Sequence, residues 1–289
     1  MKPLHFRAFA KGAAFAGLFA APALADTLQA DVDAIAQGAT RAIESAGLTP
    51  IVEIDHARLA EAEGVAMPPS RVQIFSDPAV NTPLLAENIR AGLDLPFRLL
   101  AYGNGSEAAA ITTGAGFLQI RHGLSGGAAL EEFSARLASV TGEMAGPVAT
   151  APTEALTQDY GVIELTTGMD VPTAVASLKE VVMAQDDTVW FGEIDFTAEA
   201  EALGTDVPDA VLLLFGGPGP GGVAMADFPA IGLDAFCQKL LVYAGADGTT
   251  KVIFNDIAAF AELHYGTSAK PHHALNERLT ATFSGAIAE

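Results

Sequence analysis

Cysteine is almost absent from this 289-residue chain, which contains a single one, Cys237. One thiol cannot form an intrachain disulfide, so the stability of the fold has to come from packing. Cys237 stands in the apolar stretch G-L-D-A-F-C-Q-K-L-L, with no cation before Lys239. Because a reactive thiol generally needs a positive neighbour that lowers its pKa, we predict a buried small hydrophobic residue here and not a nucleophile.

Basic residues are also scarce, with 15 Lys plus Arg against 35 Asp plus Glu and a formal net charge of −20. Nucleic acid and anionic lipid bind proteins of the opposite charge, so neither is an expected partner. The hydrophobic content of 50% is far above that of disordered chains. These proportions predict an acidic, folded protein.

Two motifs of common enzyme classes are missing as well, because no Cys-x-x-Cys pair and no His-Glu-x-x-His motif occurs. The spacings Gly-x-Ser-x-Gly at residues 123–127 and Gly-x-Gly-x-x-Gly at residues 217–222 do occur, but neither spacing alone is specific for an enzyme. The glycine-rich stretch F-G-G-P-G-P-G-G-V-A-M, residues 215–225, lacks the lysine and the serine or threonine that follow the glycines of a phosphate-binding loop. Whether the protein is an enzyme stays open, and no cofactor is indicated.

The amino terminus has the pattern of a secretory signal peptide. Three basic residues within M-K-P-L-H-F-R-A-F-A-K precede an apolar stretch and the small-x-small site A-L-A at residues 23–25. The apolar stretch is too short to span a bilayer. We therefore predict a signal peptide at residues 1–25, cleavage between Ala25 and Asp26, a periplasmic or secreted location, and a mature chain that is not embedded in a membrane.

The rest of the chain is an internal duplication. A shift of 140 positions aligns the E-I-D motif at residues 53–55 with the one at 193–195, and 14 of the 42 pairs from residue 53 to residue 94 are identical. Small insertions in the second copy then bring His122 onto His264. A two-copy repeat of this length indicates two similar domains. We predict a first domain at residues 26–146, a linker at 147–158 and a second domain at 159–289.

Each copy shows the same order of helix and strand patterns. Helical spacing predicts helices at residues 28–45 and 128–144 in the first copy and at 171–184 and 271–288 in the second. Strands are predicted at 51–55, 72–75 and 99–102, and at 160–167, 189–195, 211–215, 240–243 and 251–254. Helices grouped around antiparallel strands predict an α+β fold for each copy.

Four motifs of the first copy resemble those of a known bacterial family, the domain-of-unknown-function family 302. They are V-E-I-D-H-A-R-L-A-E-A-E-G (52–64), V-Q-I-F-S-D-P-A-V-N-T-P-L-L (72–85), G-L-D-L-P-F-R-L-L-A-Y (92–102) and R-H-G-L (121–124). The resemblance extends twice over nearly the whole mature chain. It implies a TATA-binding-protein-like α+β fold in each copy, with one curved antiparallel sheet, helices on one side and a pseudo-twofold repeat. It implies no established activity.

The two copies differ at the polar positions of these motifs. The first copy has Asp-His at residues 55–56 where the second has Asp-Phe at 195–196, and the second has Asn255 where the first has Thr113. Any site is therefore split between the copies or lost in one of them. The candidate catalytic residues are Asp55, His56 and His122. The candidate ligand-binding residues are Ser76, Asp77, Thr82, Asp94, Asn255 and His264.

The chemistry of these candidates has several interpretations. Neighbours on a strand point to opposite faces, so Asp55 cannot orient His56, and His122 is the expected partner of His56 in acid–base work. Two histidines and a carboxylate could also hold a divalent metal, although their spacing carries no metal signature and structural histidines are the default. Asp94 is expected to cap or turn the backbone. His272 is expected in a solvated first helical turn.

Three functions remain open from the sequence. The favoured one is a protein that binds a small ligand in an apolar pocket or acts as a periplasmic accessory factor. The second is an enzyme that uses Asp55, His56 and His122 in acid–base or metal-assisted work on a small molecule. The third is a structural or assembly module. Because a contact between identical chains is readily reproduced inside a tandem chain, we expect a monomer that contains an internal pseudo-dimer.

Overall fold

The structure is a computed structural model that describes residues 20–288, with side chains from residue 26 onward. Residues 1–19 of the predicted signal peptide lie outside this range, and the predicted cleavage point falls within the first helix, Ala20–Ser45. None of the helices in the described range combines the length and the apolar character that a membrane span requires.

Both copies contain the same order of elements, apart from one strand each. The first copy consists of α1 (Ala20–Ser45), β1 (Thr49–Asp55), α2 (His56–Ala62), β2 (Ser70–Ser76), α3 (Pro78–Glu87), the 3₁₀ helix η1 (Ile89–Leu93), β3 (Phe97–Asn104), β4 (Glu107–Thr112), α4 (Ala115–His122), α5 (Ala128–Thr141) and β5 (Val148–Thr150). The second consists of β6 (Val162–Thr167), α6 (Val171–Met183), β7 (Val189–Asp195), α7 (Phe196–Ala202), β8 (Ala210–Gly216), α8 (Pro218–Met225), η2 (Pro229–Leu233), β9 (Gln238–Ala244), β10 (Thr250–Asn255), α9 (Ile257–Tyr265) and α10 (Lys270–Ala286). Every predicted helix and strand is present, and the short helices are additional.

Several of the aspartates cap the N-termini of helices. Asp55 and Asp195 accept backbone hydrogen bonds of 3.0 and 2.9 Å at the starts of α2 and α7, which are equivalent helices of the two copies. Asp77, Asp170 and Asp256 cap α3, α6 and α9 in the same way. A carboxylate at this position accepts from an otherwise unpaired N–H group and lies at the positive end of the helix dipole.

Each copy contains one open five-stranded sheet. The strand order is β1-β2-β3-β4-β5 in the first sheet and β6-β10-β9-β8-β7 in the second. The pairings are antiparallel, as predicted, except that β5 is parallel to β4. A parallel pair needs a long crossover connection, which α4 and α5 supply. β5 lies within the predicted linker, whereas the fifth strand of the second sheet, β6, comes before the long helix of its copy.

The long helices cover the outer face of each sheet. In the first copy, Nε2 of Gln73 on β2 donates a hydrogen bond of 2.9 Å to the carbonyl of Ala36 on α1. In the second copy, Phe283 of α10 meets Phe215 and Phe254 edge to face, with ring centroids 5.8 and 5.3 Å apart. This arrangement places the long helices on one side of each sheet, as the family resemblance implies.

The inner sides of the two copies interlock through the two 3₁₀ helices. The ring of Phe196, at the start of α7, packs on Gly92 of η1, where an added Cβ would lie 2.9 Å from the ring. The equivalent residue of the first copy, His56, lies near the backbone of Gly232 in η2. One hydrophobic core contains residues of both copies. The two copies therefore form one interlocked body with pseudo-twofold symmetry.

The glycine-rich stretch lies at a contact between the copies. It forms the end of β8 and the whole of α8, which packs against α2 of the first copy. A Cβ added to Gly222 would lie 2.5 Å from Cβ of Ala60 and 3.1 Å from the side chain of Val65. The glycine at this position therefore permits a close approach of two helices.

Candidate functional site

Two Asp–His pairs lie at equivalent positions of the two copies. Asp94 follows η1, and its Oδ2 lies 2.8 Å from Nε2 of His122 at the end of α4. Asp234 follows η2 and makes the same contact, also at 2.8 Å, with His264 of α9. The side chains of all four residues are at most 2% exposed. Asp94 therefore does more than the predicted capping of backbone, because its carboxylate binds side chains from distant elements.

Arg121 connects the pair of the first copy to the second copy. Its Nη1 donates to Oδ2 of Asp94 at 2.6 Å, and its Nη2 donates to Oδ1 of Asn255 at 2.7 Å. Its Nε donates to the carbonyl of Tyr160 at 2.9 Å. Nδ2 of Asn255 in turn donates to the carbonyl of Asp234 at 2.7 Å. One guanidinium group thus joins residues on both sides of the interface.

Arg98 joins the two aspartates directly. Its Nη2 lies 3.2 Å from Oδ1 of Asp94, 3.3 Å from Oδ1 of Asp234 and 2.9 Å from Oγ1 of Thr113. We refer to the buried polar residues that connect the copies as the interface network. Its members are Asp94, Arg98, Thr113, Arg121, His122, Asp234, Asn255 and His264.

The charges of the interface network are set by its own members. Burial acts to raise the pKa of Asp94, but the charge of Arg121 and the bond to His122 outweigh it and hold that pKa well below its ordinary value. The pKa of Asp234 is lowered as well, because the bond to His264 outweighs burial. Burial lowers the pKa of His122 in spite of the neighbouring carboxylate. Both aspartates are therefore ionised and His122 is neutral at neutral pH.

His56 lies apart from the interface network, and the expected contact between His56 and His122 is not among the contacts of the described residues. His122 pairs with Asp94, whereas the ring of His56 turns towards Gly232 and its Nε2 is buried without a partner. The physical reason is that Asp55 ends β1 by capping α2, so the ring of His56 leaves from the start of a helix and not from a strand. Burial lowers the pKa of His56 to about 4.

The positions of the described side chains do not support the metal site that the sequence suggested. Asp55 caps α2 and forms an ion pair of 2.5 Å with Arg58. Across residues 26–288, no group of three or more His, Cys, Asp or Glu side chains is placed to hold a metal ion. Asp55, His56 and His122 each have different neighbours: Arg58, the backbone of Gly232 and Asp94, respectively.

The remaining candidates of the first copy have contacts within that copy. Oγ of Ser76 accepts a hydrogen bond of 2.9 Å from Nδ2 of Asn81. Asp77 caps α3 and forms an ion pair of 2.6 Å with Arg136. Oγ1 of Thr82 is buried without a hydrogen-bond partner. The structure thus brings together Asp94, His122, Asn255 and His264, and it separates them from Ser76, Asp77 and Thr82.

Two further predictions concern single residues of the second copy. Cys237 is buried, as predicted, and burial raises the pKa of its thiol to about 11, so the thiolate is not available at neutral pH. His272 is fully buried, so the expected solvated turn is wrong. Its ring nitrogens contact the N–H of Ala269 at 3.0 Å and the carbonyl of Ala224 at 2.9 Å, because α10 begins against α8.

A pocket lies between the copies beside His56. It contains about 310 Å³ of empty space, part of it open to solvent. We refer to it as the interface pocket, and its lining includes His56, Leu59, Phe191, Gly222, Met225 and Phe236. Leu59 and His56 belong to α2 of the first copy, and the other four residues belong to the second copy. The pocket therefore exists only where the two copies meet.

Sequence reasoning missed the arginines of the interface network. Arg98 stands within the apolar stretch L-P-F-R-L-L, and the same alignment of the copies places Lys239 at the equivalent position of the second copy. A cation retained within an apolar strand of both copies was the available signal, since Lys and Arg are almost never fully buried without a partner. Arg121 stands directly before His122 in the R-H-G-L motif but has no basic counterpart, because Leu263 occupies its place.

Curated proteins that resemble part of this chain include fluoride-specific ion channels of Brucella. The chain is 33% identical over 106 residues to the fluoride-specific ion channel FluC 1 of Brucella suis biovar 1 (strain 1330), a match that covers 36% of this chain and 42% of that protein. The fluoride-specific ion channel FluC 2 of Brucella melitensis biotype 1 is also 33% identical over 106 residues, which cover 39% of that protein. The chain therefore spans less than half the length of these relatives.

A solved structure and a family model also match. The crystal structure of an uncharacterised conserved DUF302 protein from Bacillus stearothermophilus is 17% identical, with a TM-score of 0.37, and the match covers 44% of this chain and 98% of that one. The family model described as domain of unknown function DUF302 matches twice, at residues 25–140 and 163–285. Because the two matches include most of the sequence, the chain belongs to the DUF302 family and carries its domain in tandem.

Proposed function

We propose that this protein binds a small neutral molecule in the interface pocket. The observation that carries the proposal is the imidazole of His56, whose Nε2 is buried without a hydrogen-bond partner at the wall of that pocket. A buried polar atom without a partner has a cost in free energy that a bound ligand can remove. Concave, mostly apolar pockets with a few polar groups are typical sites for small molecules.

The protonation state of His56 determines whether the ligand must donate or accept a hydrogen bond. Burial lowers the pKa of His56 to about 4, against the influence of the Gly232 backbone. At neutral pH the imidazole therefore carries one proton, and in our proposal Nε2 is the unprotonated nitrogen that accepts a hydrogen bond. The ligand is expected to donate through an O–H or N–H group.

The other walls of the pocket specify the body of the ligand. Leu59, Phe191, Met225 and Phe236 supply apolar and aromatic surface. The enclosed part of the pocket has a volume of about 20 Å³, enough for about one water-sized group, and the remaining empty space includes open solvent. A small aromatic or aliphatic alcohol would place its hydroxyl in the enclosed part and its body in the open part, whereas a nucleotide or a peptide is too large.

The second copy provides a matched substitution for the test. Phe196 is the natural residue at the position equivalent to His56, and its ring packs on Gly92. The variant His56→Phe therefore places in the first copy the ring that the second copy already accommodates. It removes the acceptor nitrogen and keeps an aromatic ring at the wall of the pocket.

The experiment compares phenol with toluene, which has nearly the same shape but no O–H donor. We expect the wild-type protein to bind phenol about 2- to 10-fold more tightly than toluene, the ratio that one net hydrogen bond provides. In His56→Phe the two affinities should become equal while the urea unfolding midpoint changes little. Affinities can be measured from chemical-shift changes in NMR titrations. Equal affinities in the wild type, or an unchanged preference in the variant, would refute the proposal.

A second candidate is an accessory role next to an ion channel outside the cytoplasm. It is supported by the curated relatives, which are named as fluoride-specific ion channels, and by the signal peptide pattern of residues 1–25. In this role the acidic surface of the tandem domain would contact basic loops of the channel. Saturable binding of the mature protein, beginning at Asp26, to such a channel in detergent tests the role. Absence of binding at micromolar concentrations would exclude it.

A further inference from the structure

Arg98 and Lys239 occupy equivalent positions on the inner faces of the two sheets. Arg98 is the second residue of β3, and Lys239 is the second residue of β9. They are 1% and 3% exposed, respectively, although both are among the residue types least often buried. The charge of Arg98 is the strongest electrostatic influence on Lys239, ahead of those of Asp94 and Asp234. Arg98 also reaches Asp234 of the second copy at 3.3 Å, so both cations lie at the interface between the copies.

Both cations have donor groups for which the described residues provide no acceptor. Nη2 of Arg98 makes all the hydrogen bonds of that side chain, while its Nε and Nη1 are buried without a partner. Nζ of Lys239 is also buried and has no hydrogen-bond partner at all. An ammonium or guanidinium donor in this situation has lost its water without gaining an acceptor, which is costly. A single buried acceptor between them would remove the cost.

The charges around these donors balance only when Lys239 is neutral. The buried cations at the interface are Arg98, Arg121 and Lys239, and the buried carboxylates are Asp94 and Asp234. His122 is neutral, and burial keeps the thiol of Cys237 protonated. With Lys239 protonated, the sum is one positive charge. Since an isolated buried charge is strongly disfavoured, the protonated form of Lys239 requires one further negative charge in this part of the molecule.

We propose that Arg98 and Lys239 hold a small monovalent inorganic anion, of the size of a halide ion, between the two copies. One negative charge balances the excess, so a doubly charged sulfate or phosphate would exceed it. The carboxylates of Asp94 and Asp234 lie within the same cluster and would repel a larger oxyanion that reached past the donors. Burial of the donors favours a compact ion that can be held without a water shell.

The proton on Lys239 controls the strength of this site. Burial, followed by the charge of Arg98, lowers the pKa of Lys239 to about 7, against the opposing influence of Asp94 and Asp234. Below pH 7 the ammonium form predominates and attracts the anion. Above pH 7 the neutral amine donates more weakly and the excess charge disappears. Halide affinity should therefore be higher at pH 6 than at pH 8.

The experiment measures thermal unfolding in sodium fluoride and sodium chloride against sodium gluconate, at pH 6 and constant ionic strength. A halide that binds only the folded protein should raise the midpoint with saturating dependence, by about 2 to 4 °C at about five times its Kd. The constant ionic strength removes the general effect of salt on an acidic protein. Direct binding of fluoride to the unmodified protein is followed by ¹⁹F NMR.

Two variants distinguish this site from other cation sites. Lys239→Met keeps the length of the side chain and removes its charge, so the halide response should disappear. Lys179→Met, at a surface lysine of α6 paired with Glu193, should keep the full response. If Lys239→Met does not fold, the ¹⁹F signal of the wild type remains as the test. No halide response and no bound fluoride, or a response that persists in Lys239→Met, overturns the proposal and leaves a neutral lysine with a buried water.

Discussion

At the scale of single residues, equivalent positions of the two copies have acquired different contacts. Arg98 donates to both aspartates of the interface network, whereas Lys239 donates to none. A guanidinium has five donors in a planar fork and can bridge two carboxylates, while an ammonium acts as a point charge that loses its proton readily when buried. The same strand position therefore provides a permanent cation in the first copy and a titratable one in the second.

The titration of Lys239 predicts an unusual dependence of stability on pH. Its pKa is lowered to about 7 in the folded protein, chiefly by burial, against about 10.4 in the unfolded chain. Above pH 7 the unfolded chain binds more protons than the folded one, so the free energy of unfolding should rise with pH. The slope is up to about 1.4 kcal/mol per pH unit.

Urea unfolding in halide-free buffer between pH 7 and 8.5 measures this slope. The range ends at 8.5 because the thiol of Cys237, with a pKa raised to about 11, contributes the opposite slope above its unfolded pKa. Lys239→Met should flatten the dependence, and Lys179→Met should retain it. A wild-type slope equal to that of Lys239→Met would show that Lys239 keeps its proton in the folded state.

At the scale of elements, the close contact between α2 and α8 depends on a residue without a side chain. A Cβ on Gly222 would come within 2.5 Å of Cβ of Ala60, a distance that forces the helices apart. We expect Gly222→Ala to reduce the free energy of unfolding by about 1 to 3 kcal/mol, the usual cost of overpacking. Urea unfolding at neutral pH provides the measurement.

Gly219 of the same helix is the control for this prediction. A Cβ there would meet only Cβ of Glu63 at 3.6 Å, an ordinary contact. Gly219→Ala should therefore leave stability unchanged or raise it by up to about 1 kcal/mol, because alanine favours the helix and restricts the unfolded chain. Equal effects of the two substitutions would show that the helix contact does not depend on Gly222.

The elements differ in how well the sequence predicts them. Apolar runs such as that of β8 and helical spacing such as that of α6 are strong local signals, and both elements lie where the sequence places them. β5 has three residues in a linker, too few for any period, and it forms because the edge of β4 is available. His272 is buried by the packing of α10 on α8, which no local pattern contains.

In the candidate site, too, the sequence predicts some residues, while their partners depend on tertiary packing. The repeat identified Asp94, Asn255 and both histidines at 122 and 264 as polar positions, and these four residues meet in the structure. Their partners could not be predicted, because Arg121 and Asn255 belong to different copies and approach only after both have folded. The interface pocket depends on the same approach. A single copy considered alone contains neither.

At the scale of the whole molecule, the two copies share one interior. The largest hydrophobic cluster includes residues of both. At the edge of the interface, Arg90 of η1 contacts Asp159 at 2.9 Å, Oη of Tyr243 at 2.8 Å, and Glu164. A core continuous across the repeat, together with buried charge pairs, is expected to unfold as one unit.

Cleavage of the chain between the two copies tests whether they stay associated without the covalent connection. A protease site inserted between Glu154 and Ala155, which are exposed, allows the connection to be cut in the folded protein. We expect the two halves to stay together in size-exclusion chromatography at micromolar concentration, because the interface network and the shared core do not depend on the connection. The same sample in urea should separate, which confirms that the cut is complete. Separation without urea would mean that the linker holds the copies together.

The pairing of Arg98 with Lys239 has a consequence for how this protein can change by mutation. In a dimer of identical chains, every substitution near the symmetry axis occurs twice, so a cation there always faces its own duplicate. In the tandem chain each position mutates alone, and one copy can keep a fixed charge while the other becomes an adjustable one. Gene duplication has thereby given this interface a degree of evolutionary freedom that two identical subunits do not have.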